Sequence, residues 1–127
     1  MLTRLPGRFW STSMMHWFTY GPNLSNKDTK RMFDAMTNQF YPGVRYFRLP
    51  PTVLPVSYKD EELCGMRIPT LLLVGRQEAL YDPVAAIKRA KHLIPDIKTE
   101  LIPQAGHEMP MSKAAAVNAR VLEFLQA

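Results

Sequence analysis

Cysteine is all but missing from this sequence: Cys64 is the single one in 127 residues. That excludes an internal disulfide framework and any metal site built on a cysteine cluster. Long apolar runs are missing too, and none approaches the roughly 18 residues that a membrane span requires. Met1 to Tyr20 is aromatic-rich, but it holds Arg4 and Arg8 and no unbroken apolar core with a small-residue cleavage site. It does not read as a secretory signal, so a cytoplasmic location is the default expectation. Nor is there a block of basic residues. The formal charge of +5 is spread over Lys30-Arg31, Arg45 with Arg48, and Lys88-Arg89 with Lys91. Such scattered groups make solvated faces, and without a basic run interleaved with aromatics no nucleic-acid partner is expected. Repeats and low-complexity tracts are absent.

What is present describes a globular chain, 46% hydrophobic and 21% charged, long enough for one domain or part of one. The chain is organised around Ile68 to His107. Leu71-Leu72-Leu73-Val74 is apolar on both faces, as a parallel strand covered by helices would be. Gly75 ends it, and Glu78 follows. Asp82 suits a helix N-cap with Pro83 at the first helical position, and Val84, Ile87, Ala90 or Lys91, and Ile94 then recur at helical spacing up to Pro95-Asp96. Thr99 to Ile102 reads as a second strand, followed by Gly106 and His107. A strand, helix, strand crossover makes the strands parallel and brings both following loops to one sheet edge. Open parallel sheets place ligands and catalytic groups at that edge.

The first half is read in coarser terms. A helix is expected from about Ser11 to Phe18, with His16 as a packed histidine whose ring nitrogen is satisfied. Gly21-Pro22-Asn23 marks a turn. Ser25, with Asp28 three residues on, suggests a capping box that opens a helix from about Asn26 to Gln39, stopped before Pro42-Gly43. Met32, Phe33, Met36 and Phe40 share one face of that helix. The stripe reads first as core and second as a pocket wall, since methionine adapts to varied apolar ligands. Tyr41 to Val56 carries four prolines (Pro42, Pro50, Pro51, Pro55), which implies an extended connection. Lys59 to Cys64 reads as a short helical turn. Ser112 is expected to cap a last helix with an apolar stripe of Val117, Val121, Leu122 and Leu125.

Together these pieces resemble the C-terminal part of the α/β-hydrolase fold. The resemblance is carried by Pro69 to Gly75, the acid within Gln77 to Pro83, Leu93-Ile94-Pro95, Leu101 to His107, and the closing Val121-Leu122-Glu123-Phe124-Leu125. It implies an α/β core portion at residues 67–127, with short parallel strands and flanking helices. A mainly helical cap with its proline-rich connection is implied for residues 1–66. It also implies that His107 is the triad histidine and Glu78 the triad acid, with Asp82 as the alternative acid. The histidine would take a proton from a serine attacking a carbonyl, and the carboxylate would orient the ring. The family's nucleophile motif, Gly-x-Ser-x-Gly, has no counterpart among the six glycines. The expectation is therefore the C-terminal fragment of a serine-type hydrolase, begun at an internal or alternative methionine, without nucleophile, metal or cofactor and inactive alone. Completed by the missing half, it would act on a small apolar acyl substrate. The alternative is a non-catalytic interaction module, or half of a split hydrolase that pairs with a separate chain. Self-association through an open sheet edge is a further expectation.

Overall fold

The computed structural model describes residues 7–46 and 56–127. Helix α1 (Arg8–Phe18) leads through a 3-10 turn (Gly21–Ser25) into α2 (Lys27–Tyr46). A short α3 (Asp60–Cys64) precedes strand β1 (Leu71–Gly75), helix α4 (Pro83–Leu93) and strand β2 (Lys98–Ile102). Two helices, α5 (Met109–Ser112) and α6 (Ala114–Leu125), close the chain. The architecture is α/β, mostly helical.

β1 and β2 pair in parallel, with Leu71 opposite Lys98 and Gly75 opposite Ile102. The helical crossover between them is the physical reason: two adjacent strands joined through α4 have to point the same way. Alternation along the strands puts Leu71, Leu73, Lys98, Glu100 and Ile102 on one face. There Leu73 and Val117 pack against Ile102, Ala105 and Met109, and Arg120 of α6 donates to Glu100 at 2.6 Å. α4 packs against both strands. The N-terminal helices form a second packed layer around Met15 and Phe33. Two threonines buried there, Thr19 and Thr37, bond the carbonyls of Met15 and Phe33 four residues back. Their hydroxyls thus enter an apolar layer already satisfied.

Four local expectations need correction. The cap of α2 is Asn26, whose Oδ1 accepts from the N–H groups of Asp28 (2.9 Å) and Thr29 (3.1 Å). Ser25 instead closes the preceding turn by donating to the Pro22 carbonyl. α2 also runs on through Pro42 to Tyr46. Proline has a helix-compatible φ, and near the end of a 20-residue helix it removes one bond of many. The extended connection therefore cannot begin at Tyr41; residues 47–55, with three of its prolines, lie outside the described residues. Ser112 ends α5 rather than capping α6, and its hydroxyl donates to Glu108. Finally, α6 meets the sheet through Val117, Arg120 and Phe124, while Leu122 and Leu125 stay 57% and 72% exposed. Two strands offer a platform too narrow to cover the whole stripe.

Candidate active site

The loops after β1 and β2 are locked together by backbone. Gln77 donates its N–H to the Ala105 carbonyl, and Ala105 donates its N–H back to Gln77 Oε1, both at 2.9 Å. Arg76 donates to the Ile102 carbonyl at 2.9 Å. Gly75 sits where the loops approach most closely: a Cβ there would come within 3.0 Å of the backbone oxygens of Ala105 and Gly106. Only glycine fits without moving a main chain.

This lock sets Glu78 against His107. Glu78 Oε1 accepts the N–H groups of Ala79 (2.8 Å) and Leu80 (2.9 Å), and its other oxygen, Oε2, lies 2.9 Å from His107 Nδ1. The carboxylate is 4% exposed and the imidazole half exposed, so the acid is shielded while the ring reaches outward. Burial, the strongest single influence, pushes the Glu78 pKa up. The Leu80 N–H, the hydrogen bond and charge of His107, and the Ala79 N–H together outweigh it, and the net pKa lies below the ordinary glutamate value. Tyr81 is pushed up, first by burial and then by the Glu78 charge. An ionised Glu78 only accepts, so Nδ1 carries the proton between them, and whenever the ring is neutral the free lone pair is on Nε2. Among the described residues no hydrogen bond reaches Nε2.

Asp82 does not join this pair. Its Oδ1 caps α4 by accepting from Val84 (2.8 Å) and Ala85 (3.0 Å). His16 is exposed rather than packed, with its ring 4.6 Å from that of Phe33. The α2 stripe does face inward. Met32, Phe33, Met36 and Phe40, with Met14, Met15, Phe18 and Met111, line a cavity of about 260 Å³ that reaches His107 and Glu108. Phe18 lines the cavity beside the ring, its centroid 5.5 Å from that of His107. The contributions of Phe18, Gln77 and Glu108 were not anticipated, because their partners are remote in sequence. Among the described residues no cluster of three potential metal ligands occurs.

The fold is that of the C-terminal portion of the α/β-hydrolase fold, as the similarity to solved hydrolases of that fold shows. No protein-family model matches the sequence. The uncharacterized carboxylesterase nap of Bacillus subtilis is 45% identical over 73 residues, covering 58% of this chain and 24% of that protein. Carboxylesterase YbfK of the same organism is 39% identical over 71 residues, covering 56% and 24%. The solved structure of Bacillus subtilis carboxylesterase CesB (YbfK) superposes with a TM-score of 0.79 at 31% identity, over 95% of this chain and 42% of that one. Naproxen esterase from Bacillus subtilis gives 0.74 at 35% identity, over 91% and 40%. The chain thus spans about a quarter of the curated relatives in aligned sequence, and about two fifths of the solved chains.

Proposed function

We propose that this chain supplies the acid, the base and the cap side of a serine-type hydrolase acting on apolar acyl esters. The observation that carries the reading is the 2.9 Å contact between Glu78 and His107 at the mouth of an apolar cavity. In the proposed reaction, His107 Nε2 takes the proton of a hydroxyl nucleophile as it attacks the ester carbonyl. Glu78 fixes the tautomer and stabilises the imidazolium, and His107 then returns the proton to the leaving alcohol. Residues 1–66 are proposed as the cap side and 67–127 as the core side. The substrate's apolar arm would lie among Met32, Met36, Phe40 and Met111, a wall of flexible thioethers and rings that adapts to varied shapes. The names of the similar carboxylesterases agree with an ester substrate.

The nucleophile and the oxyanion donors are proposed to come from the part of the fold that this sequence does not hold, since no Gly-x-Ser-x-Gly occurs in its 127 residues. The chain by itself should therefore hydrolyse a short activated ester no faster than its His107→Ala variant, once the slow background of free imidazole is subtracted. Saturable turnover that disappears with His107 would reveal a nucleophile within these residues and overturn that part of the reading. A second reading, an interaction module or split half that pairs with another chain, is favoured by the two-stranded sheet and the exposed Ile68, Leu122 and Leu125. Strand edges and apolar surface of this kind invite a partner.

A further inference from the structure

Next to His107 stands a second carboxylate that the proposed reaction does not use. Glu108 is 6% exposed, and all of its partners donate to it. Its Oε2 accepts the N–H of Tyr20 at 3.1 Å, and its Oε1 accepts from Asn23 Nδ2 at 2.8 Å and Ser112 Oγ at 3.0 Å. Tyr20 and Asn23 belong to the segment just after α1. Asn23 Nδ2 also donates to the Gln104 carbonyl at 2.9 Å, and the His107 N–H donates to the Phe18 carbonyl at 3.0 Å. The two segments meet without intervening side chains at Gly106, where a Cβ would lie 2.6 Å from Glu108 Oε2 and 2.9 Å from the Phe18 carbonyl.

We propose that Glu108 is a positioning residue for His107: it clasps the end of α1 to the histidine loop, so that the ring is held over the cavity with Nδ1 toward Glu78. The catalytic meaning of that role rests on reading His107 as the base. The clasp requires an acceptor at both oxygens. Glutamine has the same shape but one acceptor, so Glu108→Gln turns an amide nitrogen toward either the Tyr20 N–H or the Asn23 side chain. A buried donor facing a donor leaves both unsatisfied, and the segments part.

The test is the ring ¹⁵N spectrum of His107 in the full chain. The wild type should show a protonated, slowly exchanging Nδ1 bonded to Glu78. Glu108→Gln should lose that signal while the amide resonances of Leu71–Gly75 and Lys98–Ile102 stay in place. Asn23→Ala, on a surface turn, should lose it too, and it decides the matter if Glu108→Gln does not fold. Ser112→Ala removes one donor to Glu108 and a long 3.4 Å contact from Asn23 Nδ2, but leaves the Tyr20 and Asn23 bonds to Glu108 in place, and should keep the signal. A signal that survives Asn23→Ala, or one that Ser112→Ala abolishes, would overturn the positioning role and leave the Glu78–His107 pair standing. A wild-type chain whose Leu71–Gly75 and Lys98–Ile102 amides are dispersed and protected, yet which lacks the signal, would defeat both the clasp and the pair.

Discussion

Glu78 divides its work between its two oxygens: Oε1 is tied to the backbone of its own loop, and Oε2 is left for His107. A carboxylate whose folded pKa is depressed contributes stability that is present above its unfolded pKa and lost as pH falls through the folded one. The cost of Glu78→Gln, measured by urea unfolding, should thus be full at neutral pH and shrink as the pH is lowered below the ordinary value of 4.5. A cost that does not change with pH would mean the carboxylate is not held ionised by these contacts. At Gly75 the argument is steric. Gly75→Ala drives a methyl group into the Ala105 and Gly106 backbone, and overpacking of this sort costs about 1–3 kcal/mol. The same variant should also weaken the His107 ring signal, because the lock between the two loops is what it disturbs. Glu78 and His107 were legible in the sequence because each follows a strand within a few residues. The cap role of Asp82 was legible from Asp-Pro, and it is Glu78 that contacts His107. Glu108 was not legible: its partners Tyr20 and Asn23 lie 88 and 85 residues away, and no local pattern marks such a contact.

At the scale of elements, α4 and α2 separate structure from site. Asp82→Ala removes the side-chain cap of α4 and should cost about 1 kcal/mol, as N-cap losses do, without disturbing the His107 ring signal. Loss of that signal would place Asp82 in the pair after all. In α2, Met36 lines the cavity at a point where a carboxylate would have no partner among the apolar walls. In an assembled hydrolase, Met36→Asp should impair long-chain esters more than short ones; equal loss on both would make the stripe purely structural. The strands, α4 and the inward stripe of α2 were legible from periodicity. Boundaries were not. Asn26 and Ser25 are equally good caps by composition, and the choice between them falls to the Pro22 carbonyl, which claims the serine. Pro42 favours a stop by its missing N–H, yet the helix carries it for one more turn, with the loss of one backbone bond.

At the scale of the molecule, a parallel pair of strands stands between helices, and among the described residues each strand has an unpaired outer edge. Two strands seldom suffice for independent stability, and much of α6 presents apolar residues to the surface. The chain is therefore expected to be completed by further strands, and catalysis to appear only then. The role proposed for Glu78 and His107 is that of acid and base once a nucleophile is supplied. It is tested most directly by joining this chain to the N-terminal part of the Bacillus subtilis carboxylesterase nap, in place of that protein's own matching segment. Hydrolysis of a short activated ester is then measured. The hybrid should show saturable turnover that falls by at least about 10³-fold in His107→Ala, in line with losses when a triad base is removed, and by a large factor in Glu78→Ala but not in Asp82→Ala. A folded hybrid whose turnover survives His107→Ala, or which has none to lose, would rule that role out.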